Sequence, residues 1–210
     1  MLSSIYNEIV IYHDYEGRNK MNNNHLLDVM FGNLDLKEYV QVDSSDRNLY
    51  LQKLQDLTAS KESRLRFAAY KEIRNLNEQS RDINLNEVLG FIMEVGVAIG
   101  KIDRIAVYPD GRARYYGFDG KMAIWEPQLS PITKLIMDIL SNVEPVFSNT
   151  LSWKDDYQKD LMQAYIRFTV LTPNGYKNID GEFSKIASAR EYQNIIKSAT
   201  QLIQMLKKVS

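Results

Sequence analysis

"VLGFIMEVGVAIGKIDRIAVYPDGRARYYGFDGKMAIWE", Val88 to Glu126, is the stretch whose reading decides the fold. Apolar and β-branched residues are dense in it, and glycine-containing turns recur at short intervals. That pattern predicts strands over about 88–98, 102–108, 112–118 and 121–126. "YPDGR" (Tyr108–Arg112) suits a type I turn, with proline fixing φ at the second position and glycine at the fourth. "FDGK" (Phe118–Lys121) is a second short hairpin signal. The stretch therefore reads as an antiparallel meander.

The same letters admit a different reading. Pro109-Asp110 followed by Asp119-Gly120-Lys121 is the residue order of PD…(D/E)xK nucleases. Such a site gathers its carboxylates and lysine around one metal ion. Here the two aspartates fall in successive turns. An extended strand at roughly 3.3 Å per residue would hold them about 20 Å apart, too far to share an ion. Both precede a glycine, as turn aspartates do, so the turn reading is preferred.

Working outward, Asp46 opens a helical pattern through Tyr50, Leu51, Leu54 and Leu57. After "TASKES", with Ser60 as the expected N-cap, Leu65, Ala69, Ile73 and Leu76 line one face of a second helix. This predicts an α-hairpin, bounded by the polar stretch Asn77–Glu87. Before it, Ile9–His13 and Glu38–Val42 read as short strands. After the meander, Ser130-Pro131 starts a helix with a wide apolar stripe from Ile132 to Val143, expected to stop at Pro145. Residues 148–163 read as a polar excursion around Trp153, with a short helix. Strands return at Tyr165–Leu171 and Gly175–Ile179, joined by "TPNG". Ser188 is expected to cap the last helix, with Tyr192, Ile195, Ile196, Ala199, Leu202, Ile203 and Leu206 facing inward.

The predicted fold class is α+β: an antiparallel sheet flanked by amphipathic helices, preceded by an α-hairpin. Its architecture is loosely similar to profilin-like and roadblock-type modules. Two segments are expected, residues 1–80 with the α-hairpin and 85–210 with the sheet.

Composition narrows the function. The chain has 210 residues, 44% of them hydrophobic and 25% charged, which is enough to bury a core. It has no cysteine, which removes disulfides, thiolate metal sites and cysteine nucleophiles together. A net charge of −1 gives no field to recruit nucleic acid or an anionic membrane. The longest apolar run, Val88–Gly100, is too short to span a bilayer and carries Glu94 in its middle. The N-terminus lacks a signal-peptide pattern, and Met21, followed by three asparagines, is a second candidate start. A cytoplasmic location is the expectation. His13 and His25 are the only histidines, and no Ser/His/Asp arrangement stands out.

Two features are chemically notable. Glu94 is a carboxylate inside an apolar strand, so it needs a partner or a role. Arg104, Arg112 or Arg114 on a neighbouring strand would supply the partner. Arg112, Arg114 and Lys121 with Tyr108, Tyr115, Tyr116 and Trp125 make a basic, aromatic hairpin. Alternation places Arg112, Arg114 and Tyr116 on one face and Tyr115 on the other, against a helix. The candidate binding residues are Arg112, Arg114, Tyr116, Trp125 and Glu94; no catalytic or metal-ligating set is identified, and no cofactor is expected.

The stretch Glu87–Glu126 resembles a group of bacterial proteins of no assigned activity. They share an apolar "E-V-G" strand, a Y-x-D-G-x-A-R-Y hairpin and a G-K-x-x-x-W-E strand. "TPNG" and "SATQL" resemble the group's C-terminal part, so the likeness covers roughly residues 85–206. It implies a bacterial, cytoplasmic protein. The sequence thus favours a non-enzymatic binding or regulatory protein acting through a protein partner. The alternatives are a small-molecule or nucleotide-binding sensor, with Glu94 and the arginines converging in a pocket, and a hydrolase of unrecognised type.

Overall fold

The computed structural model describes residues 30, 34–42, 46–78, 84–127, 130–148, 153–154 and 160–209. The expected strand at Ile9–His13, both histidines and the second candidate start lie outside these residues.

The meander forms as the sequence predicts. Strands β1 (Gly90–Ala98), β2 (Lys101–Val107), β3 (Ala113–Tyr116) and β4 (Met122–Trp125) run antiparallel in order. Later strands β5 (Trp153–Lys154), β6 (Tyr165–Thr172) and β7 (Gly175–Glu182) complete a sheet ordered β4-β3-β2-β1-β6-β7-β5. β1 is central, which accounts for its near-continuous apolar run: helices cover both faces.

On the first face lie α4 (Pro131–Phe147) and α6 (Arg190–Val209), with short α5 (Phe183–Ser188) leading into α6. The Ser130 hydroxyl accepts a hydrogen bond from the Thr133 amide at 3.3 Å, and Pro131 takes the first position. Ile132, Ile136, Ile139 and Val143 of α4 and Ile195, Ala199, Leu202 and Leu206 of α6 pack on Phe91, Met93, Ile105, Tyr115, Trp125 and Phe168. Side chains at i, i+4, i+7 and i+11 share one helix face, which is why the α6 stripe is fully buried.

The second face receives the α-hairpin, α2 (Arg47–Leu57) and α3 (Ser63–Asn75), preceded by one turn of helix, α1 (Lys37–Val40). Phe67 and Tyr70 of α3 pack with Leu89, Ile92, Ala106, Tyr108, Leu171 and Tyr176 of the sheet. α2 packs on α3's outer side through Leu54, Leu65, Ala68 and Ile73. Arg66 grips Glu87 with two hydrogen bonds of 2.8 and 2.6 Å, and Arg74 donates to the Pro173 carbonyl. The hairpin and the sheet therefore share a core across the 77–87 boundary.

Several local expectations differ. Glu38–Val42 is not a strand; α1 forms because Leu36 and Val40 are four apart and drop together into the hairpin's apolar cluster. α3 begins at Ser63 rather than after Ser60, whose hydroxyl instead accepts from the Glu62 amide at 3.1 Å. α4 runs two residues past Pro145. Trp153 lies in a two-residue strand, because β7 offers it a free edge. Ser188 closes α5 and donates to the Lys185 carbonyl at 2.8 Å, leaving α6 to start at Arg190.

Candidate functional site

The two aspartates that spell a nuclease motif sit in turns at opposite ends of β3. Asp110 has a structural role. Its Oδ2 accepts from the Ser63 amide at 2.8 Å and from Arg112 Nη1 at 3.0 Å, while Oδ1 accepts from the Arg112 amide at 3.1 Å. A side chain from the β2–β3 turn thus caps helix α3, whose N-cap residue, Glu62, makes no side-chain cap bond of its own. Asp119 Oδ1 accepts from the Lys121 amide within its own turn. No group of three or more His, Asp or Glu suited to a metal ion occurs among the described residues.

Glu94 is fully buried. Register places Arg104 and Arg167 directly beside it on the two flanking strands. Arg104 Nε donates to its Oε1 at 2.9 Å, and Arg167 Nη1 lies 3.5 Å from Oε2. Arg167 also donates to the Asp160 carbonyl at 2.6 Å. The triad crosses the centre of the second face, and of the three arginines expected as partners Arg104 takes the role; Arg112 and Arg114 do not join it. Register sets Tyr116 beside Arg104 on this face, whereas Arg112 and Arg114 lie further along the meander and do not reach Glu94.

Those residues divide. Trp125 is 2% exposed and packs in the first-face core, on the side opposite Arg114. Alternation along β4 sets this, since Trp125 pairs with Ala113 and Ile124 with Arg114. Tyr116 is half-buried beside the second-face core. Tyr115 points to the first face as expected: Lys207 of α6 lies 5.0 Å over its ring, and burial followed by Asp103 raises its pKa. Arg112 and Arg114 come together at Glu126, at 2.8 Å from Arg112 Nε and 3.7 Å from Arg114 Nη2. Arg114 is 6% exposed, and its pKa is lowered by burial and then by the neighbouring Arg64 guanidinium. The expected open surface of arginine and aromatic side chains is in large part interior.

Exposed apolar residues lie elsewhere. The β1–β2 turn, the β3–β4 turn, the start of β6 and the end of β7 all meet at one end of the sheet. There Ile99 is 89% exposed, Met162 62%, Phe118 47%, Val97 39% and Phe183 37%. These are five of the nine exposed large hydrophobic side chains among the described residues. Gly100, at φ 67°, supplies the left-handed turn that projects Ile99 outward. The Ala164 amide donates to the Gly96 carbonyl and the Phe183 amide to the Ala164 carbonyl, each at 2.8 Å, which ties β1, β6 and α5 together. Asp103 accepts from the Phe118 amide at 2.8 Å and from the Tyr115 hydroxyl at 3.3 Å, and lies 3.7 Å from Lys207.

A groove of about 320 Å³ opens here between β1 and α6. Val95, Val97, Phe183, Ile196 and Ile203 line it, with Asp103 and Lys207 at its polar rim. Ile196 and Ile203, expected to face inward with the rest of α6, are half-buried: they pack against the first-face core and also form the groove's wall. The sequence carried one signal of this surface: an isoleucine in a two-residue hairpin turn, a position where polar residues or glycine are usual.

Comparison with family models, curated proteins and solved structures finds no match. No helix among the described residues is long and apolar enough to cross a membrane.

Proposed function

We propose that the protein is a non-enzymatic binding protein that acts through a protein partner, docked at the apolar end of the sheet. The observations that carry this reading are the groove, with Val97 and Phe183 in its lining, and the exposed Ile99, Phe118 and Met162 on segments that reach the same end of the sheet. Exposed apolar side chains are ordinary when scattered and meaningful when gathered on one surface. Here they stand on strand ends, turns and a helix start held by backbone hydrogen bonds, so the surface is formed before a partner arrives. The charges around it are mixed: Lys101, Lys121, Lys185 and Lys207 against Asp103, Asp119 and Glu182. A polar rim of both signs around an apolar centre suits a protein interface, whereas an anionic membrane would favour lysines alone.

The reading is tested by placing a photo-crosslinking amino acid at Ile99 in the cells that make the protein, with Lys134 on α4 as the control position. One protein adduct recurring at position 99 and absent at 134 supports it. Equal, diffuse labelling at both positions contradicts it. An adduct of the chain with itself would identify the partner as a second copy.

A further inference from the structure

We propose that Arg112 and Arg114 form a carboxylate-binding subsite in which the chain's own Glu126 lies, and that the carboxylate of a small ligand displaces it. This inference is independent of the docking surface. It concerns the opposite end of the sheet, where the β2–β3 turn and the residue leaving β4 meet the N-terminus of α3.

Arg64, Arg104, Arg112 and Arg167 all have an oxygen acceptor between 2.6 and 2.9 Å. Arg114 differs in having no acceptor that close: its ion pair with Glu126 is 3.7 Å long. Its Nε is also buried without a hydrogen-bond partner. A guanidinium taken out of water without acceptors is costly, and its planar fork is suited to two oxygens of one carboxylate. Glu126 meets that need only in part: Oε2 serves Arg112 at 2.8 Å while Oε1 stands off from Arg114.

Glu126 is also the removable member. Its side chain is 42% exposed and lies just beyond the edge strand β4, so it can return to solvent without opening the core. Asp110, by contrast, is held by the Ser63 amide and by Arg112.

Charge then selects the ligand. Arg64, Arg112 and Arg114 face Glu62, Asp110 and Glu126, three charges of each sign. Withdrawal of Glu126 leaves one positive charge in excess. A monoanion restores neutrality; a phosphate dianion overshoots it. A carboxylate free of the β4 backbone can approach both guanidiniums in the bidentate manner that the tethered Glu126 does not reach. Burial, and then the neighbouring Arg64 guanidinium, lower the pKa of Arg114, as desolvation of a guanidinium does.

The experiment is an NMR titration of the full chain, following the Arg Nε–H signals, with acetate as the probe. Chloride at matched ionic strength and inorganic phosphate are the comparison arms. Saturable shifts of the Arg112 and Arg114 signals are expected with acetate, weaker ones with phosphate and none with chloride. Glu126→Gln removes the internal competitor's charge at an exposed position and should tighten acetate binding about tenfold, the equivalent of one charge-assisted hydrogen bond. Arg114→Lys should abolish the saturable shift at Arg112. Equal acetate affinity in wild type and Glu126→Gln overturns the proposal, as does a chloride response matching that of acetate, or binding that survives Arg114→Lys. If Arg114→Lys does not fold, the Glu126→Gln comparison decides alone.

Discussion

Glu94→Gln is the substitution that most directly probes how the second face is held. It keeps the shape of the side chain and removes its charge. In the folded protein that charge lies at 0% exposure between Arg104 Nε at 2.9 Å and Arg167 Nη1 at 3.5 Å. Removing one partner of a buried pair costs about 3–5 kcal/mol, because the remaining charge stays desolvated. Arg167 keeps the Asp160 carbonyl at 2.6 Å, so the loss falls mainly on Arg104 and belongs near the lower bound, about 3 kcal/mol. Domains are stable by about 5–15 kcal/mol in total, so this is a large fraction. Urea unfolding followed by tryptophan fluorescence would show it, since Trp125 is buried in the sheet core. With a slope of about 2–3 kcal/mol per molar, the midpoint should fall by about 1 M or more. The triple variant Glu94→Leu, Arg104→Met, Arg167→Met removes charges and desolvation together and should regain most of that loss. A midpoint shift below about 0.3 M in Glu94→Gln would refute the reasoning, since it would mean the arginines find water as readily as they found the carboxylate.

Other perturbations have equally definite outcomes. Burial pushes the Tyr108 phenol up to about 12, and its hydroxyl donates to the Met30 carbonyl. The folded pKa lies above the ordinary value near 10, so this stabilisation is complete below about pH 10 and is lost as pH rises to about 12. About 2–3 kcal/mol of the loss across that window belongs to Tyr108, so Tyr108→Phe should reduce the loss by that amount while buried Tyr115 keeps its own share; urea titrations at each pH provide the check. Asp110→Ala removes the acceptor that caps α3 and should destabilise by about 1–2 kcal/mol, with calorimetry against Mg²⁺ silent before and after the change. Gly96→Ala would place a Cβ 2.1 Å from the Met162 carbonyl oxygen, so the β6 approach must shift. A loss of about 1–3 kcal/mol is expected in thermal unfolding, with the groove disturbed as well.

What the sequence revealed and what it hid have separate physical reasons. The meander was legible because turns announce themselves locally: proline and glycine in "YPDG", aspartate and glycine in "FDGK". α4 was legible because its cap and its stripe agree. The partner of Glu94 was half legible. Arg104 lies across a short hairpin, but Arg167 reaches it only through a strand pairing 73 residues away, which no local pattern encodes. The aromatic and basic residues that adjoin Trp125 in the sequence suggest an exposed binding residue; its burial depends on which face α4 and α6 cover, a tertiary fact. The apolar end was least legible. Ile99, Met162 and Phe183 belong to different segments and come to the same end of the sheet only through its topology. Asp110 as a cap for α3 was hidden for the same reason, since donor and acceptor are 47 residues apart.

Binding of a protein partner at the apolar end is tested most directly by the affinity of the partner captured at position 99 for wild type, for Ile99→Asp and for Gln204→Ala. Ile99 is 89% exposed, so its replacement by aspartate should leave the unfolding midpoint unchanged. At a hot spot, burying that charge should weaken binding by at least about 2 kcal/mol, roughly 30-fold. Gln204, a polar member of the groove wall, should matter several-fold at most. A 30-fold or greater loss in Ile99→Asp, with an unaltered fold, is the predicted result. Undiminished affinity in Ile99→Asp would contradict the account and send the search for the interface to another face of the molecule.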